Sequence, residues 1–306
     1  MLSYPPRRPW AGRGRALDTI LVVGGIGTLG RPVVERLVED GFAARLLVRD
    51  VHRARALLKT DAEAFPGDVT DPGSVERALD GCFGVHISVS GGSDRRRIER
   101  VEGEGTTKVA QIAARMGVGR LVFVSGYLTQ ERFASRHFES GVKLRAEQAI
   151  MASGVPYTIF RPTYFMETLP RHVRGKRAVV LGKQRHPLHM VAAQDFARIV
   201  STAFRTPEAA NSELYVQGPE AITIEDALRL YCEIVDPGRT VASVPLGLMA
   251  VVDRLFMGGR LRRTIELMRL MDEVGEVGDA SEANRILGAP STTLRQWCER
   301  RATGNG

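Results

Sequence analysis

The sequence is poor in cysteine. Its 306 residues include only three cysteines, Cys82, Cys232 and Cys298, which lie far apart and form no Cys-x-x-Cys pair. An odd number of dispersed cysteines argues against a disulfide framework and structural zinc and favours a reducing compartment, so we expect a cytoplasmic protein. His186 and His189 are near neighbours, but no other ligand types cluster around them, and we expect no metal site.

Long apolar runs are also missing. No uninterrupted apolar span is long enough to cross a bilayer, and residues 1–17 lack the apolar core of a secretory signal. Those residues are basic and rich in proline and glycine, which predicts a flexible arm, with a weak transit-like character as the alternative. The arm supplies part of the net charge of +8. Because a basic balance also suits a polyanionic cofactor, we expect no nucleic-acid partner.

A glycine-rich turn near the start of the chain is the most informative feature. Residues 19–23 are apolar, residues 24–30 carry the pattern Gly24-x-x-Gly27-x-x-Gly30, residues 31–40 place valine and leucine on one helical stripe, and residues 42–48 form a second apolar run. Glycine lets the backbone turn tightly and approach a pyrophosphate, which the helix N-terminus then faces. The pattern predicts a dinucleotide-binding βαβ unit, and a purely structural turn is the alternative.

Strand and helix patterns alternate through the first half of the chain, which predicts an α/β protein with a Rossmann-like, doubly wound parallel sheet. We predict an NAD(P)-binding core over residues 18–162, to which residues 188–217 return with a helix and a late strand. Residues 163–187 are predicted to be a loop and helix outside the sheet. Together with residues 218–306, which are mainly helical, they should form a small substrate-binding cap over the carboxyl ends of the strands.

Five motifs occur in a recognisable order. They are the glycine pattern, the strand end Leu47-Val48-Arg49-Asp50, the turn Gly67-Asp68-Val69-Thr70-Asp71, the strand Val122-Phe123-Val124-Ser125, and residues 153–162 with the sequence SGVPYTIFRP. Together they resemble the short-chain dehydrogenase/reductase superfamily, in its atypical branch of NmrA-like and isoflavone-reductase-like proteins. The resemblance covers residues 19–229.

The resemblance implies a dinucleotide site at the carboxyl edge of the sheet. It places Asp68 and Val69 against the adenine ring, residues 88–90 along the cleft, and Pro162 and Thr163 near the nicotinamide. For Asp68, a turn carboxylate that caps the next helix is the alternative. The residues predicted to bind the cofactor are Gly24, Gly27, Thr28, Leu29, Gly30, Arg49, Asp68, Val69, Ser88, Ser90, Lys143, Pro162 and Thr163.

The end of the second strand bears on the choice between the two nicotinamide cofactors. NAD selectivity needs an acidic residue there for the ribose 2′-hydroxyl, whereas the 2′-phosphate of NADP needs positive charge. The chain offers Arg49, followed by Arg53 and Arg55. We therefore predict NADP(H) as the preferred cofactor and NAD(H) as the alternative, which gains weight if Asp50 points at the ribose or if the arginines form only a solvated face.

The resemblance also implies a departure at the catalytic position. Typical members carry a tyrosine four residues before a lysine, which lowers the phenol pKa so that the tyrosine can exchange a proton. Lys143 matches that lysine, but Glu139 stands at the tyrosine position. Three roles for Lys143 stay open: a general acid/base acting alone, as in isoflavone-reductase-like enzymes, a ligand of the nicotinamide ribose, or a solvent-facing lysine.

Two more side chains near the end of the fifth predicted strand are candidates for catalysis. Ser125 stands where the superfamily keeps a serine that binds a substrate oxygen, and Tyr127 follows closely. For Tyr127, as for His137 and Tyr164 nearby, packing is the alternative to proton transfer. We predict catalytic roles for Lys143, Ser125 and Tyr127.

The leading functional hypothesis is an NAD(P)H-dependent reductase that transfers hydride to a small unsaturated, quinone-like or carbonyl substrate. NmrA-like proteins also include regulators without turnover, so the alternative is a non-catalytic NAD(P)-sensing or assembly protein. Residues 245–271 carry a methionine-rich apolar pattern followed by arginines, which indicates weak peripheral membrane contact, with a cap core or substrate lining as the alternative. The sequence gives no indication of the oligomeric state, which stays open.

Overall fold

A computed structural model describes residues 18–58 and 60–304, so the predicted arm of residues 1–17 lies outside the described residues. The strands are β1 (Thr19–Val23), β2 (Ala43–Val48), β3 (Glu63–Pro66), β4 (Gly84–Ile87), β5 (Arg120–Val124), β6 (Tyr157–Pro162), β7 (Val173–Arg174), β8 (Arg177–Leu181), β9 (Leu188–His189), β10 (Ser212–Val216), β11 (Ala221–Ile222) and β12 (Thr240–Val244).

Seven of these strands form one parallel sheet with the order β10-β6-β5-β4-β1-β2-β3. Strand β1 lies inside this sheet, with β2 on one side and β4 on the other, and its residues 20–23 are buried because both faces of the sheet are covered. The order of the strands reverses at β1. Ligands of open α/β sheets bind at the carboxyl ends of the strands next to such a reversal.

The helices alternate with these strands. They are α1 (Gly30–Glu39), α2 (Val51–Leu57), α3 (Pro72–Leu79), α4 (Arg95–Ile98), α5 (Thr106–Arg115), α6 (Glu131–Ala134), α7 (Phe138–Ala152), α8 (Ala193–Arg205), α9 (Ile224–Ile234), α10 (Leu246–Val252), α11 (Arg262–Val274), α12 (Ser281–Leu287) and α13 (Leu294–Ala302).

The helices cover the sheet on both faces. Helices α1 and α8 pack on one face around a cluster that contains Leu37 and Phe196, and helices α3, α5 and α7 pack on the other around a cluster that contains Val109 and Ile150. Helix α1 buries the predicted valine and leucine stripe, and Gly41 follows its end with a φ of +83°. The predicted Rossmann-like fold class is therefore confirmed.

One helix departs from the sequence-based boundaries. The sequence pattern predicts a helix from about residue 101 to residue 116, whereas the chain is helical from α4 through a π-helical segment, Glu99–Gly105, into α5. Gly103 and Gly105 lie in this segment and leave room for Val142 and Val69, whose methyl carbons would stand 3.1–3.2 Å from an added Cβ. The wider helical turn brings Glu102 to the carboxyl edge of the sheet, and π-helical turns of this kind recur at functional sites.

The cap contains a small sheet that the sequence analysis missed. Residues 166–172 form a 3₁₀ helix, but residues 173–181, predicted as loop and helix, form the strands β7 and β8. Strand β8 pairs with β12 from the C-terminal region, which was expected to be mainly helical. The prediction of loop and helix over 163–187 is thus wrong for these strands, because short strands become recognisable only through a distant partner.

A third hydrophobic cluster holds the cap together. It unites Leu169 and Val180 with residues from α9, α11 and α13, among them Leu228, Met271 and Trp297. No helix within 18–58 and 60–304 is both long enough and apolar enough to cross a membrane.

A buried histidine gives the fold a testable pH dependence. His86 of β4 pairs with Val22 and Val122, is fully buried, and has no hydrogen-bond partner for its ring nitrogens among the described residues. Burial lowers the pKa of His86 to about 3. The unfolded chain, where the pKa of histidine is about 6.5, takes up a proton that the folded protein does not, so stability falls as the pH drops from about 6.5 towards 3.

We expect His86→Leu to remove this contribution. Between pH 7 and pH 5 the wild type should lose about 2 kcal/mol more unfolding free energy than the variant, as measured by urea titration. Equal losses in the two proteins would contradict the assignment. Because the comparison uses only the change with pH, any cavity or strain at position 86 cancels.

Candidate cofactor and active site

The glycine turn leaves no room for side chains at its two ends. An added Cβ would lie 2.2 Å from the carbonyl oxygen of Ser88 at Gly24, where φ is +96°, and 2.1 Å from the carbonyl oxygen of Gly24 at Gly30. At Gly27 the nearest atom would be 3.3 Å away. Gly24 and Gly30 are therefore required by the fold, whereas Gly27 is exposed and free to face a ligand.

The turn presents amide groups at the start of α1. The amides of Thr28 and Leu29 donate to no other group in the part of the chain that the structure describes. They stand beside Gly27, immediately before the helix begins at Gly30. Unpaired amides and the positive end of the helix dipole together favour an anion such as a pyrophosphate.

A cavity of about 260 Å³ opens beside the turn at the carboxyl edge of the sheet. Of the predicted cofactor residues, its lining brings together Gly24, Gly27, Arg49, Asp68, Val69, Ser88 and Ser90. These predicted residues therefore meet in one cleft, although they come from four separate stretches of sequence. The residues present fit an NAD(P)(H) molecule whose adenosine half occupies this cleft.

Arg49 and not Asp50 faces the cavity. The Asp50 carboxylate caps α2, where it accepts a hydrogen bond of 2.9 Å from the backbone amide of Arg53. Arg49 is exposed and lines the cavity together with Arg97, which the sequence analysis did not single out. The end of β2 therefore offers positive charge to a ribose substituent.

Asp68 is a turn carboxylate that also lines the cavity. It accepts hydrogen bonds of 2.8 Å from the amide and from the hydroxyl of Thr70. Burial raises the pKa of Asp68, but these bonds and the charges of Arg49 and Arg100 outweigh burial and hold it below its usual value. The helix cap considered for Asp68 falls instead to Asp71, which accepts from the amide of Gly73.

Lys143 of α7 reaches the end of β5. Its Nζ donates to the carbonyl oxygen of Val124 at 3.1 Å and lies 3.7 Å from a carboxylate oxygen of Glu102. The other carboxylate oxygen of Glu102 accepts from the amide of Gly91 at 2.7 Å. The solvent-facing role considered for Lys143 is therefore disfavoured, since its ammonium is partly buried and held from two sides.

Ser125 lies under α7 beside a buried ion pair. Its hydroxyl is buried and makes no hydrogen bond of ordinary geometry among the described residues, yet it is close enough to Glu147 to lower the pKa of that carboxyl. Burial is the larger effect and raises the pKa of Glu147, which binds Arg161 at 2.6 Å. Arg161, left without a role by the sequence analysis, thus compensates a buried carboxylate next to Ser125.

Tyr127 belongs to the cap core. Its hydroxyl is buried without a hydrogen-bond partner among the described residues, and burial, followed by the nearby Glu276, raises its pKa. A phenol of raised pKa is a weaker proton donor, and Tyr127 is absent from the residues that line the cavity. The structure therefore favours packing for Tyr127, and its catalytic role stays a prediction.

Pro162 and Thr163 lie at the end of β6, outside the lining of the 260 Å³ cavity. Thr163 is buried, and its hydroxyl donates to the carbonyl oxygen of His189. His189 in turn faces a carboxylate oxygen of Glu276 at 3.1 Å. The proposed nicotinamide contact of Pro162 and Thr163 stays a prediction.

Glu139, which the resemblance aligns with the tyrosine of typical members, connects α7 to the cap. Its carboxylate binds Arg263 of α11 and lies 3.0 Å from Nε2 of His137. Although burial raises the pKa of Glu139, the His137 hydrogen bond and the charges of His137 and Arg263 keep it below its usual value. Glu139 is therefore an ionised carboxylate engaged in ion pairs.

Sequence reasoning missed Glu102, which holds the ammonium of Lys143. Its position could not be read from a regular helical repeat, because the π-helical turn shifts the face of the helix on which it lies. The glycines at 103 and 105, unusual in a helix interior, were the only local signal of an irregular turn.

Residues 24–207 match the family model described as NAD(P)H-binding, which is more than half of the 306-residue chain. The chain therefore belongs to this NAD(P)H-binding family, which is consistent with the NmrA-like, atypical short-chain dehydrogenase branch that its motifs predicted. The cofactor class predicted from the glycine turn, NAD(P)H, is confirmed with it.

Three known proteins show what the chain is similar to. An NAD(P)H azoreductase of Xenophilus azovorans is 25% identical over 300 residues, which cover 94% of this chain and 99% of the relative. The photosystem II assembly factor Ycf39 of Trieres chinensis is 26% identical over 243 residues, covering 78% of this chain and 76% of the relative. An NADPH-dependent quinone oxidoreductase of Escherichia coli, solved with NADPH, superposes with a TM-score of 0.73 at 18% identity and covers 91% of this chain and 98% of its own.

A matched pair of alanine substitutions separates folding from cofactor contact. We expect Gly30→Ala to lower the free energy of unfolding by about 1–3 kcal/mol, because its Cβ meets backbone atoms. Gly27→Ala should change stability by less than about 0.5 kcal/mol. It should nevertheless weaken NADPH binding about tenfold or more, because the methyl group occupies the path of the pyrophosphate.

Thermal unfolding and calorimetric titration with NADPH check both expectations. Unchanged NADPH affinity in a folded Gly27→Ala protein would mean that the pyrophosphate does not approach this turn.

Proposed function

We propose that the protein is an NADPH-preferring reductase of a small unsaturated, quinone-like or carbonyl compound. The observation that carries the proposal is the placement of Lys143, whose ammonium is held at the end of β5 by Val124 and Glu102, at the same edge of the sheet as the glycine turn. A positioned ammonium at that edge can hold a proton for an acceptor.

The chain's residues divide between the two ends of the cleft. Arg49 and Arg97 supply positive charge for a 2′-phosphate, the amides of the glycine turn face the pyrophosphate, and Asp68 and Val69 border the adenine. The carboxylate that follows β2, that of Asp50, caps α2 and does not line the cavity, so it is not placed to bind a 2′-hydroxyl. These features support NADP(H) over NAD(H).

The bound nicotinamide would supply a hydride. A hydride carries both electrons and one of the two hydrogens that a C=C, C=O or quinone acceptor needs for reduction. The second hydrogen is a proton, which Lys143 holds at Nζ. Glu102 and the Val124 carbonyl keep that ammonium in place. Ser125 directly follows β5, and its hydroxyl is the group proposed to orient an acceptor oxygen. To do so, the hydroxyl would have to turn away from Glu147.

A second candidate function is dinucleotide sensing without turnover, in an assembly or regulatory role. Glu139 favours it, because the phenol of typical family members is replaced by a carboxylate that binds the cap through Arg263. The similarity to the assembly factor Ycf39 supports the same reading. In this case Lys143 would only bind ribose hydroxyls.

Arg49→Asp tests cofactor choice. We expect NADPH affinity to fall about 10- to 100-fold, because the variant loses a charge-assisted hydrogen bond and places a carboxylate near the 2′-phosphate. NADH affinity should not fall. The matched control is Arg53→Asp, the same charge change one helical turn away, outside the cavity lining. Calorimetry with both cofactors measures the effect, and equal losses in the two variants would contradict a specific role for Arg49.

Substitutions of Lys143 distinguish the two candidate functions. If Lys143 supplies the proton, Lys143→Ala should lower the rate of NADPH oxidation with a quinone or enone acceptor by about 10²- to 10⁴-fold. Lys143→Arg should be equally slow, because a guanidinium does not release its proton. Lys108→Ala, which removes a half-buried lysine of α5 outside the cavity lining, should have no effect.

The remaining outcomes have distinct meanings. An active Lys143→Arg protein together with weakened NADPH binding in Lys143→Ala would assign Lys143 to the ribose. Tight NADPH binding by the wild type with no turnover across quinones, enones, azo compounds and aldehydes would favour the sensor.

A further inference from the structure

Exposed apolar side chains are concentrated on one element of the cap. Of the six exposed large hydrophobic residues in the described chain, five lie on α10 and the π-helical turn Asp253–Met257 that follows it. We call residues 246–257 the cap ridge. Its most prominent members are Leu255 and Phe256, which are 67% and 81% exposed, and the other three are Leu248, Val251 and Met257. Isolated exposed leucines are ordinary, but a contiguous apolar patch marks an interaction surface.

Contacts on the buried side of the cap ridge determine which of its side chains face solvent. Leu248, Val251 and Leu255 follow one another at three and four residues, so they share one stripe of the helix. On the opposite side Asp253 is buried and accepts a hydrogen bond of 2.8 Å from the amide of Leu261. The element is therefore held in an orientation that points its apolar stripe to solvent.

Arginines surround the cap ridge. Arg254, Arg260 and Arg269 form no ion pair with another described residue. Arg262 forms an ion pair with Glu266 at 3.0 Å. Two cavities, of about 270 and 560 Å³, open between these arginines, and the smaller one is also lined by Arg95 from α4. The only carboxylates that line the two cavities are those of Glu266 and the buried Asp253.

We propose that the cap ridge docks on an anionic membrane surface. Its apolar side chains would enter the boundary between headgroups and acyl chains, and the surrounding arginines would bind lipid phosphates. Helix α10 has only seven residues, so the contact is interfacial and not membrane-spanning.

The charge distribution favours a membrane over a second copy of the chain. A symmetric dimer through the cap ridge would bring two rims of arginine together, and like charges facing one another across an interface are unfavourable. An anionic bilayer instead offers negative charge around an apolar interior, which matches a basic rim around an apolar ridge.

Vesicle flotation of the purified full chain tests the proposal. We expect co-flotation with vesicles of phosphatidylcholine and phosphatidylglycerol, weakening at high salt, and little with phosphatidylcholine alone. The double substitution Leu255→Ser with Phe256→Ser should lower the bound fraction about tenfold or more. Arg254→Gln with Arg260→Gln should weaken binding and reduce its dependence on salt.

The chain supplies its own control. Leu57 of α2 is the sixth exposed large hydrophobic residue and lies far from the cap ridge in sequence, so Leu57→Ser should float like the wild type. All variants should keep the melting temperature and the NADPH affinity of the wild type, which separates this proposal from the cofactor assignment.

Three results would overturn the proposal. They are the absence of flotation with anionic vesicles, equal flotation with neutral vesicles, and undiminished flotation of the Leu255 and Phe256 double variant. Light scattering is measured on the same samples. A wild-type dimer that the ridge substitutions convert to monomer, without vesicle binding, would assign the surface to self-association instead.

Discussion

The site depends on the closeness of two backbone segments at the end of β1. Gly24 lies against the carbonyl of Ser88, and Gly30 lies against the carbonyl of Gly24, with no space for a Cβ at either position. This contact places the start of α1, with its unpaired amides, at the reversal of strand order. Strands β2 and β3 then bring Arg49 and Asp68 to one side, and β4 and β5 bring Ser88 and the Lys143 region to the other. The position of β1 thus separates Arg49 and Asp68 from Ser88 and the Lys143 region.

The cap is connected to the core by charged groups near the same edge. Arg263 of α11 binds Glu139. It also donates to the carbonyl oxygen of Gly92, in the loop between β4 and α4, at 3.3 Å. Glu139 is one helical turn before Lys143 on α7. Residues of the same helix therefore contact both the cap and the end of β5.

The sequence alone predicted the features that depend on local pattern. The apolar run of β1, the glycine turn, the buried stripe of α1 and the arginine at the end of β2 follow from residue spacing, and the structure places all of them as expected. Features that depend on distant partners were missed. Strand β8 exists because it pairs with β12, about 60 residues later, and Glu102 reaches Lys143 only through a π-helical turn. Likewise, the role of Arg161 is visible only once Glu147 is seen to be buried beside it.

If Glu139 stands where the resemblance expects a tyrosine, the family's reaction would make a different demand on this chain. In typical members the lysine lowers the pKa of the neighbouring phenol, and the tyrosine transfers the proton. Glu139 is poorly placed to donate a proton, because its pKa is held below the usual value, Arg263 binds one of its oxygens and His137 lies 3.0 Å from the other. Tyr127 lies in an apolar core where its proton is harder to release. Of the three side chains predicted to be catalytic, Lys143 is the one whose ammonium is held at the end of β5, against Glu102, and proton donation by it stays a proposal. The difference between a reductase and a sensor is thus confined to one question: whether that ammonium can meet an acceptor bound over the nicotinamide.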